Sequence, residues 1–137
     1  SSLKNEIEKI RIKAGEIAEG ISEQRKKLAY EISPEVESEL KNLGMEDARF
    51  EVRFSETPSV ADEFISVKGK KLKYDENGID TVEFFISTNK GEDLKPLARI
   101  ASGGEISRVM LALKTILAEK DSIPLLIFDE IDVGISG

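Results

Sequence analysis

Apolar residues recur along the first quarter of the chain at Leu3, Ile7, Ile10, Ala14, Ile17, Ile21 and Leu28. The steps alternate between four and three residues, then one step of seven passes over Gln24. That spacing keeps one apolar side chain per turn on a single seam, so residues 3–32 are expected to form one helix. Lys, Glu, Arg and Gln fill most of its other positions, and Gly15 and Gly20 weaken the helix without breaking the seam. A seam of this kind either zips onto a partner helix as a coiled coil or lies on the helix's own domain. A second, short helix is expected to follow. Ser33 can cap it and Pro34 suits its first position. Val36 and Leu40 share a face, Gly44 fits the left-handed residue after the helix, and Met45 can close back on Leu40 in a Schellman arrangement.

The period then changes to two. Residues 48–54 (ARFEVRF) alternate, with Phe50, Val52 and Phe54 on one side, and residues 63–67 (EFISV) form a weaker strand. Asn77-Gly78 within KLKYDENGID is a turn signal of the hairpin type. Residues 81–88 place Val82, Phe84 and Ile86 on one face, and 89–93 read as a loop. The middle of the chain is therefore expected to be a small antiparallel β unit with a structural role.

The last third returns to a helical period. Ile106, Val109, Met110, Leu113, Ile116 and Leu117 line one face of a helix expected over 103–119. Ser102 and Glu105 stand in the S-x-x-E spacing of a capping box. The capping box leaves Gly103 and Gly104 unexplained, because glycine is the poorest ordinary helix former. Bare backbone at a helix start lets another molecule approach N–H groups that have no intrahelical partner. The helix dipole favours an anion there, most naturally a phosphate. The same pair also suits a flexible loop that ends in a capped helix. Downstream, the apolar run Leu125–Phe128 suits a strand buried on both faces, with Pro124 at its start. It ends in Asp129 and Glu130, at the end of a strand where α/β folds bind ligands. One of these acids can hold Mg²⁺, and the other can orient or deprotonate a water.

Composition narrows the classes. The chain has 137 residues, 39% of them hydrophobic and 34% charged, with a net charge of −7. The mean hydropathy is −0.26. It contains no cysteine and no histidine, which excludes a disulfide framework, thiolate or imidazole metal sites, and Ser-His or Cys-His catalysis. No apolar run is long enough for a membrane span, and the N-terminus lacks a signal-peptide core. The acidic balance gives no basic stripe for nucleic acid. The one local basic cluster, KGKKLK at 68–73, reads best as a solvated basic hairpin.

A glycine-opened helix followed about 25 residues later by four apolar residues and Asp-Glu resembles the signature motif and Walker B segment of ATP-binding-cassette ATPases. More narrowly, LARIASGGEISRVMLALKTIL with LLIFDEIDVGISG resembles the RecN family of bacterial SMC-like DNA repair ATPases, and the likeness extends over residues 38–137. The resemblance implies an α/β chain, more narrowly an α+β fragment. Residues 1–46 would be the end of a coiled coil with its short helix, and 47–137 part of an ATPase head. Within that head the signature motif would be 101–108, Walker B 125–130 and the start of the D-loop 131–137. It implies that Ser102, Gly103, Gly104 and Glu105 contact the γ-phosphate of an ATP held by an opposite head. Asp129 would bind Mg²⁺ through water, and Glu130 would be the catalytic carboxylate. Ser136 stands where SMC proteins and transporters carry aspartate. There is no P-loop: the only Gly-Lys is Gly69-Lys70, and Lys71 follows where Ser or Thr is required. The chain is therefore expected to be a piece of a longer protein that is inactive alone. Its implied partners are the head half carrying the P-loop, a second head in a homodimer, and DNA. The implied setting is the bacterial cytoplasm and nucleoid, with a role in recombinational repair of double-strand breaks. A different class stays open: a non-catalytic assembly module in which the motif residues are inherited packing.

Overall fold

The computed structural model describes residues 1–100 and 102–120. The chain is α+β. A long helix α1 (Ser2–Asn42) is followed by strands β1 (Arg49–Ser55), β2 (Ile65–Val67), β3 (Lys70–Leu72), β4 (Thr81–Ser87) and β5 (Lys95–Pro96). A 3-10 turn (Leu97–Arg99) then leads to helix α2 (Gly103–Ala118). The described residues divide into two compact units: Ser1–Lys26 with Phe54–Thr81, and Lys27–Arg53 with the described residues from Val82 onward. The expected Walker B strand and D-loop, residues 125–137, lie outside the described residues.

Helix α1 overturns the expected break at Ser33. It runs unbroken through Pro34. A proline in a helix interior costs about 3 kcal/mol, since it removes one hydrogen bond and crowds the preceding turn. The carbonyl deprived of its donor belongs to Tyr30, a residue that is 84% exposed. Ser33 does not cap a new helix. Its Oγ donates instead to the Ala29 carbonyl at 2.7 Å, one turn back. Ile32, Val36 and Leu40, which straddle the proline, are completely buried. Burying side chains of that size stabilises by roughly 1.5–3 kcal/mol each, so packing outweighs the proline.

The end of α1 follows the sequence. Gly44 takes a φ of 90°. The Met45 N–H donates to the Leu40 carbonyl at 2.9 Å and the Gly44 N–H to the Lys41 carbonyl at 3.0 Å. These are the two bonds of a Schellman closure.

The buried face of α1 is Ala18, Ser22, Arg25, Ala29, Ile32, Val36 and Leu40. This stripe is displaced by one residue from the predicted seam. One residue is about 100° of helix rotation, so the helix carries two distinct stripes. The seam residues Leu3, Ile10 and Ile17 are 66%, 67% and 57% exposed. Ile7 and Ile21 are exposed as well, and Leu28 is half-buried. Apart from Ala14, which packs against the core of the first unit, and the half-buried Leu28, the seam is thus not the face that α1 lays on its own fold.

In the first unit, β2 and β3 form an antiparallel hairpin pairing Ile65 with Leu72 and Val67 with Lys70. Lys68 and Gly69 form its two-residue loop, with φ of 48° and 77°. Positive φ at both positions matches the strand twist, as in a type I′ turn. The basic cluster is therefore a hairpin, and three of its four lysines have local partners. Lys68 lies 3.7 Å from Glu19, Lys70 3.6 Å from Glu56, and Lys71 sits over the Phe64 ring. The Asn77-Gly78 signal gives a tight turn from Asp75 to Gly78, closed by reciprocal backbone bonds of 3.0 and 3.1 Å. It does not join two paired strands, because β3 pairs with β2 while β4 neighbours β1 and β5. Ala18, Ile65, Val67, Leu72 and Ile79 form the core of this unit. The approach of α1 to β2 is close: a Cβ on Gly15 would stand 1.7 Å from the Ser66 carbonyl oxygen.

In the second unit, β4 is the middle strand of a sheet ordered β1-β4-β5. Phe50 and Phe84 are buried with ring centroids 5.6 Å apart, as expected from the alternation read in both strands. The edge strand β5 and the 3-10 turn were not foreseen. Two residues with a proline give no periodic signal, and proline is tolerated there because it sits on an edge. Helix α2 buries Val109, Met110, Ala112, Leu113, Ile116 and Leu117, as its period requires, with Ile106 half-buried. Lys120 reaches Glu35 of α1 at 3.2 Å.

The two helical glycines make a matched test. Gly15→Ala places a methyl group into backbone, so we expect a loss of about 3 kcal/mol, at the upper end of overpacking costs. Gly20 has open space at its Cβ position. Gly20→Ala should stabilise by up to about 1 kcal/mol. Thermal unfolding of the two variants checks both signs.

Candidate phosphate-contacting helix terminus

Ser102 has extended backbone, with φ −85° and ψ 122°, and its Oγ accepts from the Glu105 N–H at 3.3 Å. This is the N-cap expected from the sequence. The Ile106 N–H donates to the Ser102 carbonyl at 3.1 Å, the first intrahelical bond. The Gly103 and Gly104 N–H groups precede that bond and belong to the unpaired start of the helix. The four residues predicted as an anion site, Ser102, Gly103, Gly104 and Glu105, are thus brought to one helix terminus. Ser102, Gly103 and Gly104 are exposed and Glu105 is half-buried.

Neither glycine is required by the local fold. Gly103 and Gly104 have no positive φ, and a Cβ on Gly103 meets nothing within 4 Å. The nearest atoms to a Cβ on Gly104 would be Arg108 Nη1 at 3.6 Å, Ser102 Oγ at 3.8 Å and Arg108 Nη2 at 4.0 Å, all in the range of ordinary contact. Alanine would fit at both positions and favour the helix. Among the described residues, then, neither packing nor backbone conformation asks for glycine at these two positions.

Arg108 is a residue that motif reading missed. Its guanidinium lies over the glycine turn and adds a full positive charge beside the partial charge of the helix terminus. The signal was available in the spacing, since Arg108 stands four residues after Gly104 and shares its helix face. Ser107 also belongs to this turn, its Oγ donating to the Gly103 carbonyl at 2.9 Å.

Ala101 and the pair Asp129 and Glu130 lie outside the described residues, as does Ser136. Among the described residues, no cluster of three or more His, Cys, Asp or Glu side chains could hold a metal ion. Nor is any helix there long and apolar enough to cross a membrane.

No protein-family model matches the chain. Curated relatives match it almost end to end. It is 44% identical over 135 residues to the DNA repair protein RecN of Halalkalibacterium halodurans, covering 98% of this chain and 22% of that protein. It is 43% identical over 137 residues to the DNA repair protein RecN of Bacillus subtilis, covering 99% of this chain and 24% of the relative. The DNA repair protein RecN of Treponema pallidum is 42% identical over 136 residues, with 99% and 22% covered. An α+β chain with a long arm-like helix and a glycine-opened, capped helix thus matches one group of proteins along nearly all its length. The chain belongs to the RecN family, and it spans less than a quarter of the length of these relatives.

If the glycines serve an external ligand, replacing them will not harm the isolated fold. We expect Gly103→Ala to leave thermal stability unchanged or raise it by up to about 1 kcal/mol. Ser102→Ala removes the cap and should cost about 1 kcal/mol. Thermal or denaturant unfolding of this chain measures both.

Proposed function

We propose that this chain is part of an SMC-like ATPase that acts in recombinational repair of DNA double-strand breaks. The observation that carries the reading is the open helix terminus at Ser102–Gly104, where Arg108 lies close by and where nothing among the described residues requires the two glycines. The relatives are DNA repair proteins, which supports the setting.

In this reading the γ-phosphate of an ATP bound by an opposite head meets the Gly103 and Gly104 N–H groups. Ser102 holds the helix start with its lone pair and has its hydroxyl proton free to donate to a phosphate oxygen. Arg108 adds charge neutralisation at the same end. Asp129 would hold Mg²⁺ through water, and Glu130 would orient the attacking water as its base. ATP with Mg²⁺ supplies the phosphoryl group and part of the charge compensation. The P-loop must come from the rest of the protein, since this sequence has none, and the chain by itself is then inactive. The outward seam of α1 suits a second helix laid along it as a coiled coil. The further partners are a second head of a homodimer and DNA, in the bacterial cytoplasm at the nucleoid.

The test is Glu130→Gln in the complete protein, with ATP turnover and ATP binding measured separately. The ATPase reading expects turnover to fall by a factor of 100 or more with binding retained. Unchanged turnover would support the assembly-module reading instead.

A further inference from the structure

One buried charged pair is used by nothing above. Arg25 Nη1 and Asp80 Oδ2 are 3.1 Å apart, with side chains only 6% and 4% exposed. Ser22 Oγ donates to the other carboxylate oxygen of Asp80 at 2.7 Å. Arg25 Nη2 donates to the Asn77 carbonyl at 2.6 Å. The pair thus ties two successive turns of α1 to both ends of the 77–80 segment. Gly78 makes room for it: its φ is 109°, and a Cβ there would stand 3.4 Å from Arg25 Nη1. Asp75 Oδ1 accepts from the Asn77 N–H at 2.8 Å and shapes the same turn.

Such an arrangement is a poor way to gain stability. Two charges leave water, and the buried Arg25 Nε has no hydrogen-bond partner among the described residues. Replacing a buried ion pair by apolar groups of similar size is often neutral or stabilising. What a directional pair supplies and an apolar contact does not is a single allowed geometry. The surrounding stripe on α1 is of little help in this, because Ala14, Ala18 and Ser22 are small and offer few distinguishing shapes. Asp80 is also the residue immediately before β4, the middle strand of its sheet.

We propose that the Arg25–Asp80 pair is a conformational lock that pins the 75–80 turn to helix α1. It fixes the geometry of that turn on the helix, at the expense of stability. The lock is a property of this chain's own packing, so it stands or falls independently of the nucleotide reading.

The test is Arg25→Met with Asp80→Leu in the 137-residue chain, followed by thermal unfolding and by amide hydrogen exchange. The lock predicts a melting temperature equal to or above that of the native chain. It also predicts exchange at least 10-fold faster across residues 75–82, with the β2–β3 hairpin unchanged. Exchange unchanged across 75–82 would overturn the proposal. So would unfolding of the double variant or a uniform rise in exchange, because either makes the pair an ordinary stabilising contact. Asp80→Asn keeps the shape and one of the two acceptor oxygens but not the charge. It should raise exchange across 75–82 by a smaller factor, about 3-fold, and no change there would also contradict the lock.

Discussion

The structure depends on helix α1 having two faces. One stripe, from Ala18 to Leu40, is buried in the chain's own fold, and the stripe next to it is apolar and open to water. The buried stripe is what carries the helix through Pro34 and supplies residues to both compact units. At its thin end the contact is backbone against backbone, with Gly15 facing the Ser66 carbonyl. At its thick end it is Ile32, Val36 and Leu40, each fully enclosed. The open stripe costs solubility unless something covers it, and its 3–4 repeat is the pattern that another helix fits.

The features legible in the sequence are those written in local chemistry. The Schellman closure at Gly44, the Ser102 cap and the buried face of α2 each depend on residues within a turn or two of one another. The alternation in β1 and β4 was visible for the same reason. The continuity of α1 was not, because Ser33-Pro34 is also a good start signal and only tertiary burial decides between the two. The hairpin at Lys68-Gly69 was placed correctly as a basic hairpin. The stronger-looking Asn77-Gly78 signal made a turn without a strand ladder, since partners for β4 come from β1 and β5. The strand β5 was too short to have a period. The lock at Arg25 and Asp80 was invisible, being a pairing of residues 55 apart.

The candidate site divides in the same way. Ser102, Gly103, Gly104 and Glu105 stand where the motif placed them, while Arg108 was found only when its guanidinium was seen over the glycine turn. The structure adds a physical argument that motif matching lacks. Among the described residues, nothing requires glycine at 103 or 104, either conformationally or sterically. It is a local cost, and family membership gives a context in which the cost has a purpose.

The central claim is that the glycine turn is kept bare for a phosphate presented by another head. The most direct measurement is ATP-dependent self-association of the complete protein, by analytical ultracentrifugation, with and without Gly104→Val. The claim predicts that the variant binds ATP as the native protein does but no longer associates when ATP is added. Association of the variant equal to that of the native protein would contradict it.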